Sequence, residues 1–207
     1  DLVPVEVSGP TLEPVAAHYA VRGDLVVVEL ADTCGLLRLP GGRLAPLTAS
    51  SRGLGEAVLA AVDGGARTVV IGLGGSASND GGAGMLRALG ARLLDAAGSE
   101  LPEGGGPLGS LAEIDLSGLD PRLQETEIVV ACDVDNPLLG PRGAVATFSA
   151  QKGAGPADQE LLEAALATYA ATVAAATGRD LAEIVEAPGA GAAGGVGFAA
   201  LAVLGGR

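Results

Sequence analysis

Apolar and polar positions alternate most regularly at the start of the chain. The Val-rich runs VPVEVSG, PVAAHYAV and DLVVVELA are separated by Gly-Pro and Arg-Gly-Asp turn signals, which predicts an antiparallel β meander within residues 1–31, its strands running over 3–31. The pattern then changes. SSRGLGEAVLAAVDGGARTVVIGL predicts a Ser-initiated helix that stops at Gly64-Gly65, followed by a fully apolar strand from Thr68 to Leu73. GMLRALG continues as a helix, ARLLDAAGSEL as a strand or hairpin around a Gly-containing turn, and EIVVACDV as another buried strand. PADQELLEAALATYAATVAAATG has Pro156 near its first helical position and Gly178 at its end, as helix termini favour. The last segment, GAGAAGGVGFAALAVLG, is a glycine loop running into an apolar helix. Together these elements predict an α/β fold: a mixed sheet covered by helices, with the meander at its N-terminus.

Composition narrows the function classes. With 48% hydrophobic residues but only 2% aromatics and no Trp, the core must be built from Val, Leu, Ile and Ala, packed closely through 34 glycines. The net charge is −13 and the 12 basic residues are scattered, so no basic stripe exists for nucleic acid or an anionic membrane. A small anion remains compatible, since local amides and one or two cations outweigh a distant field at contact distance. Cys34 and Cys132 stand outside any CxxC spacing, which predicts reduced, buried thiols and no zinc site. No secretion signal opens the chain and the longest apolar run is too short to span a bilayer, so the expected location is cytoplasmic. The chain lacks an initiator Met and stops directly after a helix-like segment, the expectation for an excised piece of something longer.

Four glycine-and-acid stations carry the candidate chemistry. In the first, VVIGLGGSASNDGGAGM, strand residues lead into Gly74, Gly75, Ser76, Asn79 and Asp80. Gly72, Gly74 and Ala77 fit a G-x-G-x-x-A dinucleotide loop, with Asp95 placed 18 residues on as a ribose-binding acid, so a nucleotide-dependent oxidoreductase is one alternative. Against it, a dinucleotide helix starts inside its glycine motif, whereas Asn79-Asp80-Gly81-Gly82 follows here and each helix-interior Gly costs about 1 kcal/mol. An extended loop, with Asn79 and Asp80 capping a helix from Ala83 and glycine amides free for an anion, fits better.

The second station, ACDVDNPLLGPRGA, delivers Asp133 and Asp135 to the end of a strand, two residues apart and therefore on one side, where they could share Mg²⁺ with substrate oxygens. An Asx turn before Pro137 accounts for Asp135 and Asn136 but not for Asp133. The third, FSAQKGAGP, contains Lys152, the only lysine among arginines, a point charge suited to phosphate. The fourth, PGAGAAGGVGFAA, sets five glycines, Gly191 and Gly194 among them, before a helix.

In this order and spacing, GLGGSASNDGGAGM, DVDNPLLGPRGA, QKGA and GAGAAGG resemble the bacterial glycerate kinases, which transfer phosphate from ATP to D-glycerate; ELADTCGL and SSRGLGEAV are weaker signatures of the same family. The resemblance implies a cytoplasmic phosphotransferase with ATP and Mg²⁺, and D-glycerate as acceptor. It also implies that residues 1–207 form a single α/β domain, the inserted domain of a two-domain kinase whose N- and C-terminal Rossmann-like parts are missing here. Such a chain alone is expected to be inactive. The chemistry of phosphoryl transfer then assigns metal contact to Asp133 and Asp135, phosphate contact to Lys152 and the orienting of the attacking hydroxyl to Asp80. The amides of Gly74, Gly75, Gly191 and Gly194 would hold anionic oxygens, with Ser76, Asn79, Asn136 and Arg142 beside them in the substrate and nucleotide sites. A non-catalytic folding or interaction domain is the alternative from another class, and a homo-oligomer is left open.

Overall fold

The computed structural model describes residues 1–207. Leu2–Ser8 (β1) pairs antiparallel along its whole length with residues 14–20 of Pro14–Arg22 (β2), and a two-residue Gly23-Asp24 turn returns the chain into Leu25–Glu29 (β3). Gly23 adopts φ +65°, the left-handed conformation that such a tight hairpin turn requires. The predicted meander is therefore present, except that Leu30 and Ala31 already belong to a short helix, Leu30–Cys34 (α1).

After Arg52–Asp63 (α2), the chain enters Thr68–Gly72 (β4), which lies parallel to β3. Ala83–Ala88 (α3) follows, then a two-stranded piece formed by Arg92–Leu94 (β5) and Glu113–Asp115 (β6). Glu127–Ala131 (β7) lies parallel to β4 and completes a mixed five-stranded sheet of order β1-β2-β3-β4-β7. The remaining helices are Ala144–Phe148 (α4), Pro156–Thr177 (α5), Ala182–Val185 (α6) and Ala192–Ala202 (α7).

Alternation along the strands divides the sheet into two faces. Val7, Ala17, Tyr19, Val26, Val28, Val69, Ile71 and Ile128 are buried on one face, where α2 covers β1 to β3 and α7 approaches β7. On the other, the registers align Leu2, Ala20, Val27, Val70 and Val129 in one row across all five strands, none of them fully buried. β7 differs from its expectation as a buried strand. It is an edge strand, with Ile128 its one buried residue, and the backbone of Arg207 pairs along its outer side.

Forty-six buried residues from Val7 to Ala202 form one hydrophobic cluster. The longest helix, α5, shows how it is filled: Leu162, Ala165, Leu166, Tyr169, Ala170 and Val173 recur at helical spacing and face inward. Asp158 accepts the Gly155 amide at the start of α5 (3.0 Å), and Gly178 at φ +65° ends it, as Pro156 and Gly178 predict. The apolar helix α7 has a broken first turn, since Ala193, Gly194 and Gly195 are all left-handed and regular helix begins at Val196.

Candidate active site

The C-terminal ends of β3, β4 and β7 lie side by side, and the loops leaving them converge, the place where open α/β sheets bind ligands. A cleft of about 500 Å³ opens there between Glu29, Ala31, Gly72, Leu73, Gly74, Ala131, Cys132 and Asp133. Glu29 and Ala31 also line a neighbouring cavity of about 560 Å³ on the less covered sheet face, with Leu2, His18, Ala20, Val27, Asp32, Leu37 and Arg38.

The loop after β4 shapes the first cleft. Gly75 is left-handed at φ +68°, its carbonyl accepts the Leu36 amide (2.9 Å), and the Ala77 amide donates to Cys34 (3.3 Å). None of the amides of Gly74, Gly75, Ser76, Ser78, Asn79 and Asp80 donates to a backbone carbonyl. Gly74 and Gly75 are exposed, so part of this run faces the cleft; successive unpaired amides of this kind form an anion-binding concavity.

Beneath the loop lies a buried polar layer. Asp80 is fully buried and accepts four hydrogen bonds: from the Ser51 amide and hydroxyl at 2.8 Å each, from Gly84 N at 3.1 Å and from Gly82 N at 3.2 Å. It caps α3, as predicted, and both its oxygens are committed to these four donors within the buried layer. Lys152 is 1% exposed and donates through Nζ to the Ser78 carbonyl (2.5 Å). Burial lowers its pKa to about 7, with the charge of Asp80 opposing the shift. The lone lysine, expected as a phosphate contact, is thus a core residue under the glycine loop with its ammonium on a backbone carbonyl.

Gly191 and Gly194 are buried as well. The Gly191 amide is used by the Asn136 carbonyl, the Gly194 carbonyl accepts from Gly81 N, and a Cβ on Gly194 would stand 2.2 Å from Ser78 O. The fourth station is accordingly a packing surface against the first. Asn79 is 1% exposed, donates to the Pro46 carbonyl (3.0 Å) and does not cap α3. Ser76 is buried at the edge of the loop, and the hydroxyl of Ser78, the Oδ1 of Asn79 and the hydroxyl of Tyr169 have no partner.

The second station splits. Regular strand ends at Ala131, so the alternation expected to place Asp133 and Asp135 together no longer applies. Asp133 lines the cleft, while Asp135 lines a separate hollow and pairs with Arg142 (3.5 Å). No group of three or more His, Cys, Asp or Glu side chains forms a metal site. Asn136 is a loop tie, donating to the Arg142 carbonyl (2.7 Å) and Thr147 Oγ1 (3.2 Å).

Asp95, the ribose-binding acid of the oxidoreductase alternative, instead holds the amides of Ala97 and Ser99 in the turn after β5. Of the two cysteines, Cys34 is buried as expected, and burial pushes its thiol up to about 12; Cys132 is exposed in the cleft.

Four residues not singled out from the sequence meet at the mouth: Glu29, His18, Asp32 and Arg38. Asp32 accepts the His18 amide (2.7 Å) and an Arg38 guanidinium N–H, and its Oδ2 lies 3.5 Å from His18 Nδ1. Burial works against its ionisation, but the His18 amide and the Arg38 guanidinium outweigh it and hold the carboxyl below the usual range. The ELADTCGL signature contains Glu29 and Asp32 and was the available signal; nothing local marked His18 or Arg38.

The sequence profile of the glycerate kinase family matches residues 1–207. Glycerate kinase of Bacillus subtilis (strain 168) is 48% identical over 200 residues, which cover 96% of this chain and 52% of that protein. Glycerate 2-kinase of Escherichia coli (strain K12) is 48% identical over 201 residues, again 96% of this chain and 52% of the other. A crystal structure from Salmonella typhimurium LT2, assigned as glycerate kinase 2, superposes with a TM-score of 0.95 at 46% identity, covering 100% of this chain and 55% of that one. The chain spans about half the length of the curated relatives it matches. It belongs to the glycerate kinase family.

Proposed function

We propose that the protein containing this chain phosphorylates D-glycerate with ATP, and that the chain supplies the anion-binding wall of the cleft. The observation that carries this is the run of loop amides without carbonyl partners beside the C-terminal ends of three parallel strands. Such donors are fixed before the substrate arrives and stabilise charge on a transferring phosphoryl group without reorganisation. Gly74 and Gly75 are the exposed donors, and Cys132 and Asp133 form the opposite rim.

Asp133, which lines the cleft, would contact a Mg²⁺ carried on nucleotide phosphates, a mode in which one or two carboxylates suffice. The ion would neutralise phosphate charge when bound. The buried Asp80–Lys152 layer acts earlier, by fixing the loop.

The opposite wall of the cleft, in this proposal, is a Rossmann-like domain built from the other half of the relatives' length, and residues 1–207 are the inserted domain. Two findings support it: the chain covers 52% of its relatives, and Val27, Val70 and Val129 on the three parallel strands are incompletely covered although parallel strands are normally covered on both faces. No helix is long and apolar enough to cross a membrane, and we place the protein in the cytoplasm. The test is a coupled ADP-release assay on the isolated chain and on the full-length protein. Glycerate-dependent turnover is expected only from the latter, in the range of about 1–100 s⁻¹ usual for kinases. Absence of turnover in the full-length protein overturns the activity; full turnover by the chain alone overturns the two-wall arrangement.

A further inference from the structure

The geometry points to a subsite for the carboxylate and hydroxyl of the acceptor, formed by Arg38, His18 and Glu29 beside the glycine-loop cleft. It presupposes the proposed kinase activity and adds where the acid substrate lies. Arg38 and His18 are the only basic side chains lining either of the two adjoining cavities. Asp32 ties both to the cavity wall: it accepts an Arg38 guanidinium N–H and the His18 backbone amide, and its Oδ2 lies 3.5 Å from the His18 ring Nδ1. Arg38 and His18 are 31% and 50% exposed, so they keep solvent-facing donors after pairing with Asp32. A planar guanidinium with spare N–H groups is matched to a small carboxylate, and His18 extends the donor set.

Glu29 stands on the wall shared by the two cavities. Its carboxylate is exposed and joins no ion pair. Its side chain runs alongside Gly72, where an added Cβ would lie 3.7 Å from Glu29 Cγ. A short hydroxy acid anchored by its carboxylate on Arg38 therefore extends its hydroxyl toward Glu29, and beyond Glu29 lie the amides of Gly74 and Gly75. Asp80, the acid expected to orient that hydroxyl, is buried in the core, whereas Glu29 is the one carboxylate that lines both cavities and so stands between the two anion sites, with Asp133 lining only the glycine-loop cleft.

The chain has a single histidine, so its imidazole signals report on this subsite alone. Titrating the chain with D-glycerate should shift the His18 ring resonances saturably, whereas ATP alone should shift the Gly74 and Gly75 amides and leave His18 in place. Arg38→Gln should abolish the glycerate response. Arg122→Gln, which removes an arginine paired with Asp63 and Asp120, should not. In the full-length enzyme Glu29→Gln should lower kcat about 100-fold or more while changing the KM for glycerate by less than about threefold. If glycerate leaves His18 unmoved, or Arg38→Gln responds like the parent, while ATP still shifts Gly74 and Gly75, the subsite is refuted and the glycine-loop site stands. If neither ligand shifts either reporter, the subsite is refuted, and the glycine-loop site falls with it when the full-length protein also shows no glycerate-dependent ADP release. Unchanged kcat in Glu29→Gln removes Glu29 from the site.

Discussion

Asp80 gives the most direct test of the division between loop-building and chemistry. Replacing it with Ala leaves three amides and the Ser51 hydroxyl without their acceptor, in a layer that is fully buried. A hydrogen bond to a charged group contributes roughly 1.5–3 kcal/mol, but four on one carboxylate do not add, and removing the buried charge returns part of its desolvation penalty. The expected net loss is therefore on the order of 3–5 kcal/mol, a large part of the usual 5–15 kcal/mol stability.

Asp80→Asn should lie between. Three of the four donors converge on Oδ2, which an amide oxygen can replace, while the amide nitrogen is turned toward the Gly82 N–H, a donor facing a donor. About 2 kcal/mol is expected. Because the chain has no Trp, urea unfolding is best followed by far-UV circular dichroism. Asp80→Ala within about 1 kcal/mol of the parent would refute the reasoning. If the full-length protein has the proposed activity, an Asp80→Asn variant of it with parental stability but depressed kcat would return Asp80 to the chemistry.

For Lys152, the folded pKa of about 7 lies below the roughly 10.4 of an unfolded lysine, so between these values the unfolded chain binds more protons and stability rises with pH, by at most about 1.4 kcal/mol per unit. Urea midpoints should climb from pH 7 to about 8.5, where the buried Cys34 thiol begins to oppose the trend, and Lys152→Met should lack this rise. Gly194→Ala combines a left-handed φ of +68° with a 2.2 Å approach to Ser78 O and should lose about 3 kcal/mol or more, whereas Gly74→Ala, with nothing within 4 Å, should stay within about 0.5 kcal/mol; equal melting temperatures would contradict the packing. Maleimide should label Cys132 and spare Cys34 until the chain is unfolded, and ATP should slow the labelling in the full-length protein, as mass spectrometry can read.

Much of the fold was legible because it depends on local pattern: the alternation in β1 and β2, the Gly23-Asp24 turn and both ends of α5. What could not be read depends on which element lies beside which. β7 is as apolar in sequence as β4, yet one is an edge strand and the other central. Asp133 and Asp135 part because strand geometry stops at Ala131, before either of them. His18 and Arg38 meet through the β2–β3 pairing and the turn after α1, and no short window contains both. Whether a lone lysine faces a ligand or a carbonyl is decided by the loops folded over it, here the segments around Ser78 and Gly194.

The same distinction explains why the four stations identify the family while most of their residues stand back from the cleft. A loop whose successive amides lack carbonyl partners is unfavourable by itself, since a buried, unsatisfied N–H costs about 1–3 kcal/mol. Ser78, Asn79 and Asp80 are at most 1% exposed and their amides make no backbone bonds, so the loop persists only if other contacts over-determine it. Asp80 supplies four such contacts, Lys152 ties the Ser78 carbonyl, and the Gly194 carbonyl takes the Gly81 amide. Asp80, Lys152 and Gly194 therefore fix the shape of the glycine loop from beneath. In the proposed site the side chains that meet a substrate are those on the exposed rim, Glu29, Arg38 and Asp133, whose local sequence had no need to be unusual.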